Sequence, residues 1–234
     1  MAQKRGPWVI VLAVVVATTA FLATRTSTPP IATTSTVVTT TSVNTTSTTA
    51  TAATTRTAVW PTAGSSVRYQ EPRLAAIGFA TDFLHMTQPT AGPFAQGDSR
   101  SGEVSIRPYA SGPVTTVLVR QVASDSSWWV LGSATDAVVM RTPTTLSLVA
   151  SPLAIGGTST AYEAVVNISL RQDDSATPLF DGAVMGGSMG TMGPYTKVLN
   201  FSNPRSPFGS LTLYTVSAKD GSVTAASVIR LRFH

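Results

Sequence analysis

A long uncharged run near the N-terminus limits where this chain can form a packed core. Residues 6–24 contain no charged side chain, and Lys4 and Arg5 precede them. As a helix, this run would span ~28 Å, close to the ~30 Å hydrocarbon thickness of a membrane. We therefore predict a single-pass transmembrane helix within residues 1–25, with Trp8 at the interface and the more basic N-terminal flank in the cytoplasm. A cleaved signal peptide is the alternative, and either interpretation exports the rest of the chain.

A tract dominated by Thr and Ser follows, from residue 26 to residue 67. It contains Pro29-Pro30, almost no charge and few large apolar side chains, so it cannot bury enough surface to offset the loss of chain entropy. We expect a disordered stalk that lifts a folded head away from the bilayer. Exported tracts of this kind commonly carry O-linked sugars.

Cysteine content and charge narrow the classes of function. The chain has no cysteine, which removes thiol nucleophiles, cysteine zinc sites and disulfides, so the head must rest on its apolar core. The formal net charge is +5, but from Arg68 onward 12 Lys and Arg side chains stand against 11 Asp and Glu side chains. A nucleic-acid-binding protein needs a concentrated basic face. We therefore expect no nucleic acid partner.

Residues 68–142 are predicted to form a small α+β domain. Pro72, suited to the first turn of a helix, opens a helical pattern that ends near Met86. Four strands are expected after the helix, centred on residues 104–106, 114–122, 128–132 and 138–141. Because strand side chains alternate between faces, one of Trp128 and Trp129 should point outward, either as a binding residue or packed under a neighbouring domain.

Residues 144–234 have the pattern of an all-β domain. One strand places Ala164, Val166, Ile168 and Leu170 on a single apolar face. Asp-Gly at residues 220–221 predicts a tight hairpin turn, because it supplies the positive φ values that such turns need. Short strands separated by turn signals, without a helix, favour a β-sandwich.

The last strand alternates apolar and basic side chains. Its apolar residues are Ile229, Leu231 and Phe233. Arg230 and Arg232 lie between them, so we expect the two arginines to form an outward face.

Several short motifs in the C-terminal region are shared with a known family. They are Ser151-Pro152-Leu153, Ile155-Gly156-Gly157, Tyr162–Leu170, Gly190, Gly193-Pro194-Tyr195, Ser217–Ser222 and Ile229–Phe233. Through them, residues 146–233 resemble the immunoglobulin-like domain of bacterial spore-germination proteins. The resemblance implies an extracytoplasmic, non-catalytic sandwich in a cell-envelope protein. Sporulation itself is not implied, since membrane-anchored, stalked versions look typical of high-GC Gram-positive bacteria.

The predicted fold class is therefore mainly β. An immunoglobulin-like β-sandwich is preceded by a small α+β segment, an unstructured Thr/Ser stalk and one N-terminal transmembrane helix.

Apparent catalytic motifs have simpler explanations. Gly186–Gly190 fits G-x-S-x-G, but a nucleophile elbow needs a helix directly after Ser188, and a Gly/Met-rich loop leads into another strand instead. A general base would have to come from His85 or the terminal His234. The Gly-Asp-Ser step at Asp98 is explained by a loop in which the carboxylate caps backbone N–H groups. We predict no enzyme activity and no catalytic residue.

Three methionines in the Gly-rich loop, Met185, Met189 and Met192, could bind Cu(I) through their thioethers. Because no His or Cys lies near them in the sequence, adaptable packing is the favoured explanation, and neither a metal site nor another cofactor is predicted.

We expect the head to contact cell-wall polymer or an envelope protein. The candidate surfaces are the loop Gly186–Pro194, the Arg230/Arg232 face and the groove between the two head domains. The candidate binding residues are Gly187, Met189, Met192, Tyr195, Arg230, Arg232 and Trp128. The alternative is a small-ligand binder or enzyme with a pocket in the α+β segment, recognisable by polar groups that converge in a deep cavity. A membrane sensor is a third hypothesis, with only a handful of residues on the cytoplasmic side.

Overall fold

The computed structural model describes residues 55–122 and 125–234. The predicted membrane helix and most of the predicted stalk lie outside these residues. Within the described part, no helix is long and apolar enough to cross a membrane. The described chain is mainly β, as predicted, with one short α-helix.

In the part of the chain that the structure describes, one α-helix is followed by thirteen strands. Helix α1 spans Pro72–Gly78 and continues directly into a π-helical turn, Phe79–Phe83. The first strands are β1 Thr90–Asp98, β2 Ser101–Arg107, β3 Thr115–Gln121 and β4 Trp128–Ala134. The middle strands are β5 Val138–Thr142, β6 Leu148–Val149, β7 Leu153–Ala161, β8 Val165–Gln172 and β9 Phe180–Met185. The last are β10 Gly187–Ser188, β11 Gly193–Leu199, β12 Phe208–Val216 and β13 Val223–Phe233.

The strands form two sheets. The large sheet has the order β1-β2-β3-β4-β13-β12-β8-β9, and β6 pairs with β13. The second sheet has the order β10-β7-β11, with β5 also paired to β7. It packs against one face of β8, β12 and β13 to give a sandwich-like arrangement. The predicted apolar face of β8 is confirmed at Val166, Ile168 and Leu170, which are fully buried in this core. Ala164, expected on the same face, lies just before β8 in a 3₁₀ turn and is half-buried.

The large sheet draws strands from both predicted head domains, 68–142 and 144–234. β4 joins β13 through one register pair, Val228 with Ser133. The hydroxyl of Ser133 also donates to the carbonyl of Ala226 at 2.9 Å. A single crossing point of this kind leaves the two strands free to diverge on either side of it.

Strand β5 does not join the sheet in which we expected it. Val138–Thr142 pairs with β7 in the second sheet, whereas the sequence favoured a fourth strand of the α+β segment. An isolated bridge between Thr135 and Val138 turns the chain tightly after β4. Val138 is then fully buried in the sandwich core, and β1 supplies the missing strand at the outer edge of the α+β part.

Helix α1 covers the half of the large sheet formed by β1 to β4. Its buried residues pack on the first hydrophobic core, which includes Val104, Ile106, Val117 and Trp128. The helix and its π-turn leave the opposite end of the same sheet face, formed by β8, β9 and β12, without a helix above it.

The two adjacent tryptophans of β4 face opposite sides of the sheet, as the alternation predicts, and both are buried. Neither is an exposed binding residue, and the ring on the outer side is packed under another segment of the chain. Trp128 packs in the first core, with its ring edge-on to Phe94 at 5.2 Å. Trp129 faces the other side of the sheet, where Ala58 and Val122 cover it. Its indole N–H donates to the hydroxyl of Ser127 at 2.9 Å. The segment that covers it precedes α1, which the alternation pattern of β4 alone does not reveal.

The segment just before the head is packed rather than disordered. Ala58 and Val59 are buried, and Trp60 forms an antiparallel bridge with Val130 of β4. A cluster of apolar residues interrupts the Thr-rich tract at this point, and its burial offsets the entropy of ordering the chain. The predicted boundary of the stalk at residue 67 is therefore wrong, because residues 58–60 belong to the packed head.

Candidate functional site

A cleft opens over the part of the large sheet that the helix leaves uncovered. Its volume is about 540 Å³, within the ~300–1,000 Å³ range of small-molecule sites. The wall comes from the end of the π-turn and from the segment around Trp60, and the floor comes from β8, β9 and β12. Residues from both predicted head domains therefore line the cleft. It lies where the sequence predicts a groove between these domains.

The floor of the cleft is polar because of strand alternation. The same strands that bury Ile168, Leu170, Leu211 and Leu213 in the sandwich core turn their alternate side chains the other way. The ladder registers align these polar residues in three rows: Arg171 with Ser210, Asp181 with Ser169 and Thr212, and Asn167 with Tyr214.

Two hydroxyl residues on the floor are deeply buried without a protein partner. Ser210 is 5 % exposed and Thr212 is 8 % exposed. Within residues 55–122 and 125–234, neither hydroxyl makes a hydrogen bond with the protein, and the amide of Asn167 makes none either. The fully enclosed unpaired side-chain atoms of this part of the chain are instead Ser159 Oγ and Thr160 Oγ1, so the hydroxyls of Ser210 and Thr212 remain open to the cleft. Hydroxyls that are sheltered from bulk water and open only to a cleft are available to a ligand or to ordered water.

The wall of the cleft begins at the π-turn. The backbone N–H of Leu84 donates to the carbonyl of Phe79 at 3.0 Å, the wider closure of a π-helix. This closure adds a residue to the turn and places Asp82, Phe83 and His85 at the cleft. A π-turn inserted at the end of a helix is often found at functional sites.

Trp60 forms the neighbouring part of the wall. Its ring lies 6.3 Å from that of Phe83 at an interplanar angle of 55°. Its indole N–H donates to the hydroxyl of Tyr69 at 3.3 Å. Two large aromatic side chains therefore stand beside the polar floor.

Arg230 closes one end of the cleft and is not exposed. Its two terminal nitrogens donate to the two carboxylate oxygens of Asp173 at 2.6 and 2.5 Å, and its Nε donates to the carbonyl of Arg56 at 2.9 Å. The side chain is 3 % exposed and its guanidinium lies 5.3 Å from the ring centre of Phe208. The predicted outward Arg230/Arg232 face is therefore wrong for Arg230, because the segment at residue 56 and the β8–β9 connection cover it; Arg232 is exposed.

Tyr214 lies between opposite charges on the floor. Burial raises the pKa of its phenol, the negative charge of Asp181 raises that pKa further, and the positive charge of Arg171 opposes both effects. Arg171 also donates from Nε to the hydroxyl of Ser169 at 3.2 Å. The phenol is thus held in its neutral form, in which it can both donate and accept hydrogen bonds.

The predicted residues of the Gly-rich loop lie away from the cleft. Gly187 pairs in parallel with Thr160, and a Cβ there would approach the backbone N of Gly193 to 2.1 Å, so close packing explains this glycine. Met189 is 76 % exposed and Met192 is 44 % exposed.

Tyr195 does not belong to an exposed surface. It is 2 % exposed in the sandwich core, where its hydroxyl donates to the carbonyl of Val139 at 3.1 Å. Its prediction as a contact residue is wrong, because β11 turns this side chain toward the large sheet. Trp128 is likewise a core residue, so among the seven predicted contact residues Arg230 alone lines the cleft.

The floor residues were not singled out from the sequence, although a signal for them existed. Asn167, Ser169 and Arg171 alternate with the apolar face of β8, and Ser210, Thr212 and Tyr214 do the same along β12. Two adjacent strands with such complementary polar faces indicate a shared polar surface. The alternation within each strand does not reveal that β8 pairs with β12. This pairing brings the two polar faces together.

The residues of the apparent catalytic motifs are separated. His85 lines the cleft, whereas Ser188 belongs to β10 and pairs with Ala161. The predicted capping role of Asp98 is confirmed, since its carboxylate accepts from the backbone N–H of Arg100 at 2.7 Å. This bond is the main cause that lowers the pKa of Asp98.

The sandwich has a counterpart among known families. Residues 137–222 match the family model Gmad2, the immunoglobulin-like domain of bacterial spore germination. The matched range begins just before β5 and ends just before β13, and the resemblance predicted from the sequence motifs is confirmed. The helix and strands β1 to β4 lie outside it. No curated protein and no solved structure matches the chain.

Proposed function

We propose that this chain is a non-catalytic, membrane-anchored module of the bacterial cell envelope. In this proposal, residues 6–24 anchor the chain, the Thr/Ser tract spaces the head from the bilayer, and the extracytoplasmic head binds cell-wall polymer or an envelope protein. A role in germination or sporulation is consistent with the family match but is not required by it.

The observation that carries the proposal is the cleft. It combines two largely buried floor residues whose hydroxyls open onto it without a protein partner, Ser210 and Thr212, with an aromatic wall at Trp60 and Phe83. Binding sites typically pair apolar lining with a few polar groups that fix orientation. The family of the matched domain is generally non-catalytic, which supports binding rather than turnover.

The alternative function, a small-ligand binder or enzyme, would use the same cleft. A pocket inside the α+β segment lined by Trp128 or Trp129 is not favoured, because both rings are packed in hydrophobic cores. His85 and Asp82 at the mouth of the cleft are the titratable groups that such chemistry would draw on.

Crosslinking in living cells tests the proposal. A photoreactive amino acid is placed at Thr62 on the wall and, separately, at Asp181 on the floor, with Thr196 on the exposed face of β11 as the matched control. We expect adducts with wall polymer or an envelope protein from the two cleft positions and not from Thr196. Absence of adducts from both cleft positions, or equal adducts from Thr196, contradicts the proposal.

A further inference from the structure

We infer that the cleft binds a neutral, hydroxyl-rich saccharide, a short stretch of a glycan strand. This inference rests on the proposed function and adds the chemical class of the ligand. It follows from the hydrogen-bonding inventory of the floor, the nature of the wall, the balance of charge and the size of the cavity.

The floor offers groups that both donate and accept hydrogen bonds. The hydroxyls of Ser210, Thr212 and Tyr214 do both, as does the side-chain amide of Asn167. A saccharide hydroxyl is also both donor and acceptor. Each floor group can therefore either donate a hydrogen bond to a sugar hydroxyl or accept one from it. A carboxylate- or phosphate-bearing ligand would instead require a set of donors, which the floor does not concentrate.

Two floor residues, Ser210 and Thr212, are more than nine-tenths buried, and their hydroxyls open onto the cleft. Neither hydroxyl has a hydrogen-bonding partner within the described chain, and neither is among its fully enclosed unpaired side-chain atoms, which are Ser159 Oγ and Thr160 Oγ1. Water reaches the two floor hydroxyls from the cleft, and a saccharide hydroxyl can take the place of that water.

The wall suits the apolar face of a sugar ring. Pyranose rings present a face of C–H groups, and Trp60 and Phe83 provide aromatic surface beside the polar floor. The indole N–H of Trp60 is already bonded to Tyr69, so the remaining role of this residue at the cleft is apolar contact.

Charge selects against anionic polymers. The lining has four carboxylates against two guanidiniums: Asp82, Asp173, Asp174 and Asp181 against Arg171 and Arg230. A negative excess disfavours polyphosphate-like or nucleic-acid chains.

Charge at the floor itself is balanced. Arg230 and Asp173 neutralise each other in a bidentate ion pair, and Arg171 and Asp181 both act on Tyr214 with opposite sign. The floor beside Ser210 and Thr212 therefore carries no net charge from these pairs, which suits a neutral ligand.

The size of the cavity suits a short oligomer. A volume of about 540 Å³ lies in the range of small-molecule sites. Asp181 is on β9, the edge strand of the large sheet, and is exposed. A longer glycan could leave the cleft past this edge, so that only a few sugar units are bound.

Saturation-transfer NMR of the full chain in detergent micelles tests the inference. The probe is the neutral tetramer of β-1,4-linked N-acetylglucosamine, and a lysine tetramer serves as the cationic competitor. The decisive variant is Thr212→Val, which removes one floor hydroxyl and keeps a β-branched shape. Thr196→Val makes the same change on the exposed face of β11 and is the matched control.

We expect saturation transfer to the saccharide, at least a tenfold weaker affinity in Thr212→Val and unchanged affinity in Thr196→Val. No transfer with the unaltered chain, equal affinity in Thr212→Val, or selective binding of the lysine tetramer overturns the saccharide assignment. Circular dichroism of both variants establishes that they are folded.

If the saccharide does not bind but crosslinks from Thr62 and Asp181 still form, the ligand class is wrong and the proposed function stands. If neither saccharide binding nor crosslinks from the cleft positions are observed, both the ligand class and the proposed function are wrong.

Discussion

At the scale of single residues, the buried pair of Arg230 and Asp173 ties three parts of the head together. The guanidinium bonds to Asp173 after β8, to the carbonyl of Arg56 before the first bridge, and to the carbonyl of Gly209 in β12. Removing one partner of such a pair destabilises the fold, because the charge of the other partner is left buried without compensation.

Arg230→Ala should therefore destabilise the head strongly. Removing one partner of a buried pair costs about 3–5 kcal/mol, and we expect a loss near the lower end because Asp173 is 17 % exposed. Urea denaturation measures the free energy of unfolding. The control is Arg232→Ala, two residues along the same strand and exposed, which should change it by less than ~0.5 kcal/mol. Equal losses in the two variants would show that the ion pair contributes little.

Because of buried Tyr195, we expect the free energy of unfolding to depend on pH in the alkaline range. Burial raises the pKa of its phenol from 10.0 to about 12. Between these two values the unfolded chain releases this proton and the folded chain keeps it, so the stabilising contribution is complete below about pH 10 and is lost as the pH rises toward 12.

Tyr195→Phe should remove this part of the alkaline loss of stability. The measurement is the urea midpoint of the unaltered chain and of the variant at several values between pH 9 and about 12. The difference between the two chains should narrow as the pH rises. A constant difference would mean that Tyr195 ionises normally in the folded state.

At the scale of elements, the crossing of β4 and β13 joins the helix-covered half of the large sheet to the sandwich. Gly132 lies at this crossing, where a Cβ would approach the carbonyl oxygen of Val228 to 2.5 Å. The strands meet here in a single register pair, so a small displacement separates them.

Gly132→Ala should lower the free energy of unfolding by about 2–3 kcal/mol, because a backbone atom must move to make room. Gly92→Ala in β1 of the same sheet is the control, since its Cβ would find its nearest neighbour at an ordinary 3.5 Å. We expect a change within ~0.5 kcal/mol there. Thermal melting followed by circular dichroism measures both. A neutral Gly132→Ala would mean that β13 can shift freely at the crossing.

Element types were largely predictable, whereas their partners were not. The apolar faces of β8 and β13 and the turn at Asp220-Gly221 follow from local alternation and turn chemistry, and Gly221 has the expected positive φ of 72°. The place of β5 in the second sheet depends on a tight turn after β4. Pairing between distant strands, such as β5 with β7, produces no periodic pattern in the sequence from which it could be predicted. The cover over Arg230 is missed for the same reason.

At the scale of the whole molecule, the cleft exists because one sheet continues beyond the helix that covers it. Helix α1 packs over β1 to β4, and the uncovered floor is formed by strands that lie within the matched immunoglobulin-like region. The sequence predicted both layers and a groove between two domains, but it did not predict which side chains would line the groove. Those depend on the pairing of β8 with β12 and on the π-turn, which adds one residue to the helix end.

The central claim is that this head is displayed outside the cell membrane, and the absence of cysteine allows a direct test. Ser66→Cys places the chain's single thiol on an exposed position of the head. A membrane-impermeant maleimide is applied to intact cells and to lysed cells, with the cysteine-free chain as the control. We predict equal labelling of Ser66→Cys in intact and lysed cells. Labelling that appears only after lysis would contradict the claim.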